Sequence, residues 1–502
     1  MKLASLKLDP SHLSRDDEAL SRCELALEEK DKANDAGALD IMSPLWRGVG
    51  ARPDTTGLQP ETAAEVLLCT GILTGWIGNR NQIQDAQETA RNLITQSISY
   101  YEAHHDLRRV AEARSEIAYC YWREGQINEA RIMLLEALER LPPIGIKRAR
   151  ALLKLADVEQ SAGRYYDALK ILTDNSTIFA NIRHLATKGS YHNELAMTFR
   201  KIGTAEKRPD YFQRALTEYK AAEHHFKLTQ NHIYRACVKN NVAVVLTNLG
   251  RFKEAHKHLD RARDLTVRFK DRTRTAQIDC TRAELLIAEG KLKAAASVAL
   301  RAASALEKVG HRCWLADALI TQATALARLG KQERAHVVLQ RTIEVAHEAD
   351  ALNKAGLAAL TLIEEVDRLS PDTLQAAYQQ AHEWLADTQS REVLTRLNAA
   401  AGKLAASVRK ELSRDEAIEI LLSKPCDLDQ KLLEYEHNLI KQALKQSNGS
   451  VTHAAALLGK TYQGLAYMIE TKHQDLMKAR TPVRRRPRKA VRRRKKNQNE
   501  TL

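Results

Sequence analysis

AYCYWREGQINEARIMLLEALERLP, residues 118–142, is the stretch from which the fold is read. Ala118, Tyr121, Gly125, Ala130, Leu134 and Ala137 set small or bulky side chains at helical spacing on either side of a glycine, and Pro142 ends the run. Two helices joined at such a glycine turn back on each other, and alanine at their crossing lets them approach closely. The pattern recurs along the chain. Gly125, Gly163, Gly203, Gly250, Gly290 and Gly330 are spaced by 38, 40, 47, 40 and 40 residues. Ala118, Ala156, Ala196, Ala243, Ala283 and Ala323 each precede one of them by seven residues. Ala130, Ala168, Ala255, Ala295 and Ala335 follow by five; in the Gly203 unit the equivalent is Ala215, displaced by a seven-residue insertion around Pro209. Weaker units lie before (Ala63 to His104) and after (Leu357 to Ala386).

These positions resemble the tetratricopeptide repeat, whose unit is roughly 34 residues. A period near 40 implies longer helices, as in the sensor arrays of some bacterial regulators. The resemblance implies an all-α solenoid over residues 61–387, a superhelix of antiparallel helix pairs with a concave groove, because each unit exposes an apolar side that only its neighbours cover. First-helix residues line such a groove, where a protein or peptide partner is expected. By alignment with that family, Asn193 and Asn240 fall at inward positions of adjacent repeats, where their amides would bond an extended peptide backbone. Tyr119 and Trp122 would add an apolar contact. Local helix packing is the other reading of all four.

Composition agrees with helices throughout. Between Pro143 and Pro425 the only prolines are Pro209 and Pro371, and proline is the strongest helix breaker. The seven cysteines are scattered, with no CxxC or Cys/His ligand spacing. That suits a reducing cytosol without disulfides or structural zinc. Met1 to Pro10 lacks the apolar core of a signal peptide. The apolar run near Val66 to Ile77 is too short to span a bilayer and reads as a buried helix. A cytoplasmic, nucleoid-associated protein is expected. Residues 1–60, a charged helix near Ser14 to Lys32 and then an irregular Gly/Pro-rich segment, read as a cap of no assigned function.

At the other end stands NGSVTHAAALLGKTYQGLAYMIETKH, residues 448–473. Ser450 is placed to N-cap a short helix, Gly459 to end it in the left-handed region, and Thr461 to cap a second helix with Leu465 and Ile469 one turn apart. Leu432, Leu433, Leu439, Ile440, Ala443 and Leu444 form an apolar stripe on the preceding helix. The segment from about Asp429 to Asp475 resembles the Fis-type helix-turn-helix of bacterial DNA-binding regulators. The resemblance implies a DNA-binding domain over 429–477, reached through a helical connector at 388–428 whose boundary falls near Lys424. It implies that Tyr462, Gln463 and Tyr467 face the groove of DNA. It also implies that the helix N-termini at Ser450 and Thr461 meet phosphates, and that a homodimer forms through residues 429–446. The family usually sets Arg or Lys at several second-helix positions, where this chain has Tyr462, Gly464, Ala466, Tyr467 and Met468.

The formal net charge of +15 is concentrated in the tail: residues 478–502 hold twelve Lys or Arg and one Glu, leaving +4 for the rest. Arg484, Arg485, Arg486, Arg488, Lys489, Arg492, Arg493, Arg494, Lys495 and Lys496 carry most of it. With two prolines and no apolar periodicity, this segment reads as disordered in isolation and suited to follow phosphates. No catalytic motif is present. Gly459-Lys-Thr461 lacks the earlier glycine of a phosphate-binding loop, and the paired histidines sit at spacings that diverge on a helix. The chain is read as a non-enzyme without cofactor or metal: a transcriptional regulator whose solenoid takes a protein or peptide and whose C-terminus binds DNA. The alternatives are an interaction scaffold or an RNA-binding adaptor using the basic tail.

Overall fold

The computed structural model describes residues 14–479 apart from Asp350, Arg368, Asp387, 423–426 and Asn448, and only the backbone of 408–422. The expected boundary at Lys424 and the basic tail lie outside the described residues. Helices dominate those residues, with no strand among them, and the chain divides into two compact units at Ala406 and Ser407.

The first unit stacks helix pairs. Six carry the repeat glycines: Leu107–Arg123 with Ile127–Arg140, Ile146–Ser161 with Tyr165–Asp174, Leu185–Glu206 with Pro209–Leu228, His232–Asn248 with Phe252–Arg268, Arg272–Ala288 with Leu292–Lys308, and Arg312–Arg328 with Gln332–Glu348. One more pair precedes them, Pro60–Asn81 with Ala86–Ala103, and one follows, Leu352–Glu365 with Pro371–Trp384. The alanines seven before and five after the glycines, with Ala215 in the fourth unit, are all 0% exposed. They are the crossing points of the helices, as their spacing requires. Five of the six glycines take φ between 71° and 84°. Gly203 does not: its helix runs on to Glu206, and Lys207 turns the chain instead at φ 55°. A Cβ on Gly203 would meet the Phe212 ring at 3.0 Å, so this glycine serves close packing.

Two ties reach far beyond neighbouring repeats. The first is made by the N-terminal helices Arg15–Asp31 and Asp35–Met42. With Trp46 just after them, they pack Ala19, Cys23 and Met42 onto Val66, Cys69, Leu73 and Ile77. At the end of the first helix, the Asp31 carboxylate pairs with Arg150 and with His184, and the Asp31 carbonyl accepts from Asn231 Nδ2 at 3.0 Å. Asp35 accepts from Arg80 at 2.8 Å, and Arg80 approaches Asp271 at 3.8 Å. The segment first read only as a cap is thus bound to the second, third, fourth and fifth glycine-bearing pairs in turn by the N-terminal ends of their first helices.

The second tie lies at the other end. Gln389 donates to Asn128 Oδ1 at 3.2 Å and accepts from Arg164, and Ser390 sits against Gly163. A Cβ on Gly163 would come within 2.9 Å of Ser390 Cα. The last repeat therefore meets the turns of the first two glycine-bearing pairs. The helix Arg391–Leu422, expected as a connector, begins as part of this unit: Leu397 and Ala400 are buried, and Arg396 pairs with Glu364 at 2.8 Å.

Candidate nucleic-acid interface and ligand groove

The inner face of the repeat unit encloses a cavity of about 460 Å³. Its walls follow a simple rule. Counted from each repeat alanine, positions two before, one after and five after fall on one helix face, since three and four residues are close to a full turn. In the first glycine-bearing pair these are Glu116, Tyr119 and Arg123, and all three line the cavity. In the next, Lys154 and Asp157 line it, together with Arg150 and Lys147 one and two turns earlier. Glu194 and Asn193 continue the wall, and Lys30 and Asp31 close it from the N-terminal helices.

Most of these charges are neutralised across repeats. Lys154 bonds Glu116 at 2.7 Å and Arg150 bonds Asp31. Burial opposes ionisation of Asp31, but the His184 hydrogen bond and the charges of Lys30 and Arg150 outweigh it and hold the carboxyl well below its usual range. Burial opposes charge on Glu116 too, and Lys154 overcomes it, so Glu116 also stays lowered. Asp157 goes the other way. Burial, then the neighbouring Glu194, raise it well above the usual carboxyl range.

The four residues assigned to the groove from sequence have different surroundings. Tyr119 and Asn193 line the cavity. The Asn193 amide is engaged there by Glu194 Oε1 at 3.0 Å and Met197 Sδ at 3.4 Å. Trp122, four residues past the alanine, points along the stack and donates to Ser161 Oγ at 2.8 Å. Asn240 is half-buried with its Oδ1 unpartnered. Asp157, Glu194, Lys154 and Arg123 were not singled out from sequence, although their fixed offset from the repeat alanine marks them.

In the second unit, Leu428–Gln446 leads into Val451–Leu457 and Tyr462–Thr471. Ser450 Oγ accepts from the His453 amide, and Thr461 Oγ1 from that of Gly464 at 3.1 Å, as the capping residues require. Gly459, at φ 61°, ends the first short helix, and the Lys460 amide returns to the Ala455 carbonyl at 2.9 Å. Ala454 and Ala455 let the two helices cross, and Leu465 and Ile469 are 0% exposed against Ile440, Ala443 and Leu444. A 3-10 turn at Gln474–Ala479, absent from the sequence reading, closes this core with Leu476. Beside it the buried His473 lies 3.2 Å from Glu436. The apolar stripe of the long helix is covered only in its last part: Leu432, Leu433 and Leu439 are exposed, as are Leu428 and Tyr435. The hairpin of short helices is too small to reach them.

Tyr462, Gln463 and Tyr467 are exposed on the second short helix, Tyr467 at 67%. Thr461 is exposed at its start and Ser450 is half-buried. Arg484, Arg485, Arg486, Arg488, Lys489 and Arg492 to Lys496 lie outside the described residues. Residues 427–479 hold six lysines and six Asp or Glu, so this part is formally neutral. No helix among the described residues is long and apolar enough to cross a membrane.

Comparison with known proteins agrees with both units. The family model "Bacterial regulatory protein, Fis family" matches residues 431–470. No curated protein sequence matches the chain. Among solved structures, a Rap protein complexed with Competence and Sporulation Factor is similar with a TM-score of 0.50 at 14% identity, over 78% of this chain and 98% of that one. The apo form of the quorum sensor NprR from B. thuringiensis has a TM-score of 0.46 at 15% identity, over 68% of this chain and 90% of its own. The chain thus joins a tetratricopeptide-like α-solenoid to a C-terminal helix-turn-helix of the Fis family.

Proposed function

We propose that this protein is a DNA-binding transcriptional regulator whose repeat unit takes a peptide or protein ligand on its inner face. The observation that carries this is the helix-turn-helix at 450–471, capped at both helix starts and matched by the Fis family, with its polar residues turned away from its core. Tyr462, Gln463 and Tyr467 read the major groove, and the helix starts at Ser450 and Thr461 sit on phosphates. Because residues 427–479 are formally neutral, the salt-dependent part of the affinity comes from the tail, with a log–log slope of roughly 0.9 per phosphate neutralised. The exposed apolar stretch Leu428, Leu432, Leu433, Tyr435 and Leu439 pairs with a second copy, which a palindromic site requires. The groove reading draws on the cavity itself and on the Rap protein of like fold, which was solved with its factor bound. No catalytic step is assigned to the chain.

Selection of sites from a random duplex pool at about 150 mM salt, a condition that suppresses part of the non-specific binding, tests this. The full chain is expected to enrich a roughly palindromic motif that Leu465→Asp abolishes. The neutral body of the second unit favours one rival, a scaffold with a nucleic-acid-binding tail. Binding without enrichment that persists in Leu465→Asp and disappears in residues 1–479 would establish that rival instead.

A further inference from the structure

Two carboxyl groups in the cavity stand apart from the others. Asp31 and Glu116 each pair with Lys or Arg. Asp157, on Ile146–Ser161, and Glu194, on Leu185–Glu206, form no ion pair with any described residue; both line the cavity, and Glu194 accepts from Asn193 Nδ2 at 3.0 Å. The nearest cations are held elsewhere. Arg123 donates to Asn79 Oδ1 at 2.7 Å and lies over the Trp122 ring at 5.0 Å. Lys201 lies over the Tyr165 ring at 5.4 Å and reaches the Gln160 carbonyl at 3.5 Å. A third group is aimed into the pair. Gln160, 3% exposed, donates Nε2 to Glu194 Oε2 at 3.2 Å, and its Oε1 has no partner.

Acceptors therefore exceed donors at this point. Two carboxyls offer about eight lone-pair sites between them and the amide oxygen two more. Burial and the like charge of Glu194 raise Asp157 against the opposing pull of Arg123 and Lys201, so it holds a proton more tightly than a free carboxyl does. A cation with several N–H groups answers both the unmet acceptors and the unmet charge. We infer that Asp157, Glu194 and Gln160 form a subsite for a cationic nitrogen group of the ligand, the ammonium or guanidinium of a peptide. This rests on the reading of the groove as a peptide site. Such a group competes with the proton that the raised Asp157 carboxyl favours, which leaves to solvent. Its source is either a free N-terminus or a Lys or Arg side chain.

The test uses the full-length protein and a synthetic random hexapeptide pool, offered once with free N-termini and once N-acetylated, with retained peptides identified by mass spectrometry. Retained sequences are expected to carry a cation. Loss on acetylation assigns the N-terminus, and enrichment of Lys or Arg in both pools assigns the side chain. The double variant Asp157→Asn/Glu194→Gln, which removes like-charge repulsion and is checked for an unchanged melting temperature, is expected to bind a retained peptide roughly ten- to hundredfold more weakly. For the wild type, affinity is expected to rise with pH by up to about tenfold per unit while a proton is displaced. Asp157, Glu194, Arg123 and Lys201 are the charged groups that set this slope, and the double variant is expected to lose it. Peptides retained without a cation, or with no pH slope and no effect of the double variant, would overturn the subsite and leave the groove reading intact. No retention by the wild type overturns both.

Discussion

The two units hold themselves together in different ways. In the repeat unit the buried alanines and leucines run through successive pairs, and charged ties such as Lys154–Glu116 and Arg150–Asp31 cross from one element to the next. In the C-terminal unit nine buried apolar residues make a single cluster, with Glu436–His473 as a polar tie beside it. Stability is spread out in one and concentrated in the other. The same insult should therefore damage a neighbourhood in the first and the whole of the second.

The sharpest break is Leu465→Asp. Removing a 0%-exposed leucine and burying a carboxylate costs at least about 4 kcal/mol, comparable to all that a small unit holds. Amide exchange over 428–479 is expected to lose protection and DNA retention to disappear, with the repeat unit unchanged. Next comes Asn231→Ala. Asn231 is 0% exposed, caps His232–Asn248 through the Tyr234 amide at 2.9 Å, and donates to the Asp31 carbonyl. About 2 kcal/mol should be lost, with faster exchange confined to residues 15–42 and the start of that helix. A spread beyond the fourth glycine-bearing pair would contradict a distributed stability.

Smaller still is Thr461→Ala, which removes one cap at about 1 kcal/mol. Because the core is concentrated, it is expected to lower the denaturation midpoint of the entire C-terminal unit. The finest probe is Glu284→Gln. The protein groups crowded around the Glu284 carboxyl, and then Asp317, push it up to about 7 against Arg200 and Lys354, although the side chain keeps access to solvent. Its raised folded value means that stability falls as pH rises from about 4.3, the unfolded value, to 7. The variant should gain stability at pH 8 and none at pH 4. The gain stays under about 1 kcal/mol because the side chain is open to solvent.

The helix pairs were legible because alanine at a crossing and glycine at a turn are steric requirements that leave few substitutes. The caps at Ser450 and Thr461 were legible because they are local. The cavity was harder to read. Asn193 was found, but Asp157 and Glu194 acquire their meaning only when two helices bring them together, and no spacing along the chain shows that. Trp122 illustrates the angular limit: one residue of helix is 100°, enough to turn a side chain from the groove toward its neighbour. The docking of Asp31 on Arg150 and Asn231, and of Ser390 on Gly163, joins residues more than a hundred positions apart and left no local trace.

That last contact bears on how the molecule comes apart. An open array of repeats frays from its ends, each unit leaning only on the next. Here the terminal pair is fastened to the turn at Gly163 and the first helices to Asn231, so neither end can peel away without breaking a bond to the middle. A chain of dominoes has been bent until its last piece rests on an early one. Its unfolding should be steeper and more nearly all-or-none than its repeat count implies. Its folding should be slower, since contacts of such sequence separation form only after a long loop has closed.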